Sequence, residues 1–125
     1  MATARRVADL DGWRDATTLA REISAVTRLG ACARDFGLRD QICRAAVSIM
    51  SNIAEAFESG SDRQFARFLR IAEGSAGEVR SRLCCALDLG YTDADVFTRV
   101  SDDTQRLSRR VGGLLRHLTA TPASQ

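Results

Sequence analysis

The chain has 125 residues, a net charge of +2 and 45% apolar residues. That describes one domain, large enough to bury a core without disulfides or metal, and excludes a disordered or low-complexity polymer. No apolar run approaches the roughly 18 residues that cross a bilayer. MATARRVADLDGW carries no apolar segment of the kind a signal peptide needs. We therefore expect a soluble cytoplasmic protein with no membrane association.

Apolar residues recur at three- and four-residue steps and never alternate long enough for a strand, so the chain reads as all-α. Residues 1–10 are expected to form a flexible N-terminal arm. The first helix is predicted from about Asp11 to Leu29, with Trp13, Ala16, Ala20, Ile23 and Val26 facing inward, and it stops at Gly30. The second starts near Leu38 and stops before Ser59 and Gly60. In it Ala45, Ile49, Asn52, Ile53 and Ala56 form one stripe, and Arg44, Ser48, Ser51 and Glu55 form a polar stripe beside it.

Ser61 and Gln64 make a capping box for the third helix, which turns Phe65, Phe68, Leu69, Ala72, Ala76, Val79, Leu83, Ala86 and Leu87 inward and ends at Gly90. Gly74, Ser75, Ala76 and Gly77 place a small-residue patch in its middle, which suggests close approach by another helix. Thr92 and Asp95 repeat the capping pattern for the fourth helix, whose inward residues are Val96, Val100, Leu107, Val111, Leu114, Leu115 and Leu118. Gly112 and Gly113 suggest a bend or a close approach near its end. Residues 11–119 thus form an antiparallel up-down-up-down four-helix bundle, because connections this short return each helix alongside its predecessor. Residues 120–125 are expected to be a disordered tail.

Catalytic patterns are sparse. His117 is the sole histidine and has no Glu at di-iron spacing, and the chain has neither a Ser-His or Cys-His arrangement nor a Gly-rich phosphate loop. Metal, cofactor and enzymatic activity are therefore not expected. Cys32, Cys43, Cys84 and Cys85 lack metal-ligand spacing and read as structural filling. Asp93 with Asp95, and Asp102 with Asp103, read as acids favouring the positive end of the fourth helix dipole.

All eighteen basic residues are arginine, a pattern that a GC-rich coding bias produces without functional cause. Their distribution is more telling. At the pole shared by the start of the first helix, the end of the second, the start of the third and the end of the fourth, Arg5, Arg6, Arg14, Arg63, Arg67, Arg70, Arg109, Arg110 and Arg116 outnumber the acids. Arg63, Arg67, Arg70, Arg109 and Arg110 are the candidate nucleic-acid contacts, since aligned weak charges raise the surface potential beyond what net charge suggests. The stripe of Arg44, Ser48, Asn52 and Glu55 is the candidate helix–helix or subunit interface. A scaffold that pairs these arginines with protein carboxylates and binds no nucleic acid is the competing reading.

The run QICRAAVSIMSNIAE, with FGLRDQ before it, QFARFLRIAEGSAGEV in the third helix and ALDLGYTDADVF at the next turn, resembles the four-helix-bundle family of the 23S rRNA intervening-sequence protein. The resemblance is collinear over nearly the whole chain. It implies an antiparallel bundle assembled as a homopentameric ring. Similar proteins accompany the reverse transcriptase of diversity-generating retroelements, so RNA or DNA and a reverse transcriptase are the partners it suggests. Met50 stands where the family usually has Pro, which predicts a milder kink or none. Ala56 stands for the usual Gly, which lets the helix run on toward Glu58, and Cys43 stands for a common second Arg.

Overall fold

The computed structural model describes residues 2–119, with side chains described for 11–117. It has four long helices, α1 (Ala2–Thr27), α2 (Phe36–Glu58), α3 (Asp62–Asp88) and α4 (Ala94–Thr119), with a short 3-10 turn, Gly30–Arg34, between the first two. The register of cross-helix contacts runs antiparallel between α1 and α2, between α2 and α3, and between α4 and α1. Thr17 meets Met50 and Thr27 meets Cys43 between α1 and α2. Ser48 meets Ser75, and Phe57 meets Phe65, between α2 and α3. Arg110 meets Asp15, and Arg99 meets Glu22, between α4 and α1. The chain is therefore an all-α four-helix bundle.

The helix ends follow local chemistry. α1 begins at Ala2, well upstream of the expected Asp11, because no glycine or proline interrupts residues 2–10. It ends at Thr27, whose hydroxyl donates back to the Ile23 carbonyl at 2.9 Å. The 3-10 turn occupies the residues up to α2, and Gly30 adopts φ +55° at its start. Asp35 caps α2, accepting from the Leu38 amide at 3.2 Å. α2 then runs its 23 residues through Met50 and Ala56 to Glu58 without interruption.

Ser61 caps α3 as its spacing predicted, accepting from the Gln64 amide at 3.2 Å. α3 closes in a Schellman motif around Gly90 (φ +75°), with Gly90 N donating to Leu87 O at 3.0 Å and Tyr91 N to Ala86 O at 2.8 Å. The cap of α4 is Asp93 rather than Thr92: its carboxylate accepts from the Val96 amide at 2.8 Å, while the Thr92 hydroxyl turns to the Asp93 carbonyl. The expected tail, 120–125, lies outside the described residues.

Ala16, Leu19 and Ile23 from α1, Ile42, Ala45, Ala46, Ile49, Ile53 and Ala56 from α2, Phe65, Leu69, Ala72, Ala76 and Val79 from α3, and Val100, Leu107 and Val111 from α4 form the centre of the core. Trp13 is not among them. It is 41% exposed, because the inward stripe of α1 runs through Ala16, Leu19, Ile23 and Thr27 and leaves Trp13 at its edge. Leu87 is likewise exposed, and Phe68, Val96, Leu114 and Leu115 are only partly buried. The cysteines divide: Cys32 is buried and Cys43 half-buried, but Cys84 and Cys85 are exposed and fill no core position.

The glycines divide too. A Cβ at Gly112 would stand 3.1 Å from Glu73 Oε2 and 3.3 Å from Arg116 Nη1, so its absence lets these charged tips fold over α4. Gly74 and Gly77 have nothing within 4 Å of a built Cβ, so the close approach of α2 to the small-residue patch is made at Ser75 and Ala76 and not at its glycines.

Candidate nucleic-acid interface

Arg63, Arg67 and Arg70 stand at i, i+4 and i+7 on α3, directly opposite its core-facing stripe, and all three are exposed. They project from one outer ridge over about two turns, roughly 10 Å at 1.5 Å per residue. Arg109 is exposed on α4 near the same pole. None of these four guanidiniums forms an ion pair with a described residue. Gly74 continues the ridge as open helix backbone.

Arg110 belongs elsewhere. Its guanidinium lies 3.5 Å from Asp11 and 3.4 Å from Asp15, and its stem crosses α1 at Gly12, where a Cβ would stand 3.8 Å from Arg110 Cδ. Grouped by sequence with the phosphate contacts, it is instead a clasp between α4 and α1. Its azimuth differs from that of Arg109 by about 100°, enough to turn it from solvent to the neighbouring helix.

The α2 stripe also separates into two parts. Ser48 and Ser75 share a 2.7 Å hydrogen bond between α2 and α3, and Asn52 Nδ2 donates to Ser48 O at 2.8 Å and to Ser48 Oγ at 3.1 Å. These two residues satisfy polar groups along the helix–helix seam. Arg44 and Glu55 are exposed beside Val47 and Ser51, and form no ion pair with a described residue. Arg44, Val47, Ser48 and Ser51, with Cys43, line an open, shallow surface on this face.

Between α1 and α4 lies a cavity of about 230 Å³ lined by Asp15, Thr18, Leu19, Glu22, Asp103, Arg106 and Arg110. Glu22 Oε2 is buried there without a hydrogen-bond partner, and Arg99 Nε stands 3.9 Å away. Asp103 accepts from Arg106 at 2.7 Å. Burial, and then the facing Asp103 carboxyl, raise the Glu22 pKa above its ordinary 4.5, against the pull of Arg99 and Arg106. Asp103 thus lies well beyond the first turn of α4, and serves the seam rather than the helix dipole. The charges at Asp15 and Glu22, seven apart on α1, and at Asp103, Arg106 and Arg110 on α4 were the readable sign of two polar stripes facing one another.

Two further groups are shifted at the opposite pole. The hydrogen bond that Tyr91 donates to Asp35 (3.0 Å) raises the phenol pKa, and burial raises that of the Cys32 thiol. Among the described residues no three His, Cys, Asp or Glu side chains gather as metal ligands. No described helix is long and apolar enough to cross a membrane.

The family model described as 23S rRNA-intervening sequence protein matches residues 8–113. A solved structure from Bacteroides thetaiotaomicron VPI-5482, a protein with unknown function from the S23 ribosomal protein family, superposes with a TM-score of 0.81 at 22% identity, covering 87% of this chain and 98% of that one. At this identity the likeness speaks for the fold alone. No curated protein matches the chain.

Proposed function

Since the chain belongs to the 23S rRNA-intervening sequence protein family, we propose that it is a cytoplasmic, non-enzymatic homo-oligomer that binds RNA or DNA phosphates through the outer ridge of α3. The carrying observation is the row Arg63, Arg67 and Arg70, joined by Arg109: four exposed guanidiniums without an ion pair to any described residue. Unpaired guanidiniums keep their charge available for phosphate, which they hold through paired N–H donors. Arg110 is left out of this surface because two aspartates already hold it.

The subunit contact in this proposal is the outer face of α2, away from the arginine ridge. Arg44 and Glu55 offer charges there that pair with no described residue, and Val47 beside them is exposed. Multiplied around a five-fold ring, the arginine row becomes a basic rim. Light scattering is expected to give about five times the chain mass of 13.6 kDa.

The deciding experiment measures affinity for mixed RNA and DNA at several salt concentrations. The expected log–log slope is several units, and R67E/R70E is expected to lower affinity at least about tenfold and reduce the slope by about two. Absence of binding at low salt would favour the scaffold reading, in which the same arginines meet carboxylates of a protein partner. A reverse transcriptase is the first partner to test in either case.

A further inference from the structure

The pole opposite the arginine ridge has a different character. Leu29 (69% exposed), Phe36 (64%) and Leu89 (55%) lie there with the exposed Leu87, at the turn joining α1 to α2 and the turn joining α3 to α4. Large apolar side chains in turns gain nothing from the core. Together these four expose on the order of 400 Å² of apolar surface, the size of the largest apolar patch on a typical monomer, which is often functional.

The two turns are held in place. Tyr91 donates its hydroxyl to Asp35 at 3.0 Å, joining the α3–α4 turn to the cap of α2. Arg39 donates to the Ala33 carbonyl at 2.9 Å and lays its guanidinium over the Phe36 ring, 4.8 Å from the centroid. The Schellman turn at Gly90 fixes the backbone beside Leu89. Phe36 and Leu89 are therefore presented by an ordered frame rather than by a loose loop.

We propose that this tip docks a basic amphipathic segment of another protein. Charge complementarity selects the occupant: around the patch Asp40, Asp88, Asp93 and Asp95 are exposed against Arg28 and Arg34, while Arg39, over the Phe36 ring, is offset by the half-buried Asp35, leaving two acids in excess. A nucleic acid or an anionic lipid surface would meet that rim with like charge. A second copy docked tip to tip would oppose aspartates to aspartates. A helix with apolar anchors on one face and arginine or lysine beside them satisfies both the leucines and the rim. This contact is separate from the phosphate-binding ridge and does not depend on it.

The test uses a synthetic amphipathic helix with leucine along one face and arginine along the other, titrated into the isotope-labelled full chain. The expected result is saturable binding that shifts the amides of Leu29, Phe36 and Leu89 and weakens with salt. The double variant F36S/L89S, verified as folded by its helical circular dichroism, is expected to lose about tenfold or more in affinity. The same peptide with glutamate in place of arginine is expected not to bind. Shifts centred elsewhere, equal binding of the glutamate peptide, or unchanged affinity of the double variant would each overturn the proposal. So would self-association of the chain that F36S/L89S abolishes, because the tip would then be an interface between copies.

Discussion

The seam between α2 and α3 draws on buried apolar residues, Ala45, Ile49 and Ile53 from α2 and Phe65, Ala72, Ala76 and Val79 from α3, and among the described residues its polar link is the Ser48–Ser75 bond. The seam between α1 and α4 has a cavity, three carboxylates and two guanidiniums where the other has methyl groups. Small residues let α2 and α3 approach and exclude water, so their association rests on dispersion and burial. α1 and α4 are joined partly by exposed ion pairs, which hold position but add little free energy. The bundle is therefore expected to be rigid along α2–α3 and to loosen first along α1–α4.

The largest test of this contrast is Ile49→Ala, which is expected to cost about 2–5 kcal/mol, because a fully buried seam collapses poorly around the missing atoms. Chemical denaturation measures it; a cost below about 1 kcal/mol would mean that the α2–α3 seam is as yielding as its counterpart. Next comes the serine bridge. Ser75→Ala is expected to cost about 1 kcal/mol, and the double variant with Ser48→Ala no more than the sum of the singles, since removing both hydroxyls leaves neither unpaired.

Glu22→Gln is expected to have a smaller effect, of the opposite sign. The raised pKa means that the folded chain holds the Glu22 proton more tightly than the unfolded chain. Its stabilising contribution is therefore complete below about 4.5 and is lost as pH rises through the raised value. The glutamine variant is expected to melt higher than the native chain at neutral pH, with the advantage vanishing in acid; thermal melts across that range would show it. Asp103 and Arg106 remain in both proteins, so a pH-independent difference would assign the effect to packing. Smallest of all is Arg110→Ala, expected to cost less than about 1 kcal/mol and to be nearly silent in high salt, because Asp11 and Asp15 are both more than half exposed. A larger, salt-independent loss would show that its stem over Gly12 carries the contact.

Ser61, Gly90 and the uninterrupted run of α2 through Met50 were legible in the residues because a cap or a helix stop depends on neighbours three or four positions away. Asp93 shows the limit even there: Thr92 and Asp93 are both good caps, and the turn after Gly90 decided between them. The arginine ridge was legible in part. Periodicity placed Arg63, Arg67 and Arg70 on one face of α3, but also grouped with them Arg110, which a neighbouring helix takes away.

By itself the sequence determined the number and order of the main helices, the family, and the pole at which arginines collect, since these follow from local spacing and from chain connectivity. Tertiary structure decided that Trp13 lies at the edge of the core, that Ser48 and Asn52 are spent within the α2–α3 seam while Arg44 and Glu55 are not, and that Glu22 faces Asp103 across a cavity. Each of these depends on the rotation of one helix about its axis relative to a partner distant in sequence. A shift of one residue turns a side chain by about 100° and moves it from solvent to seam.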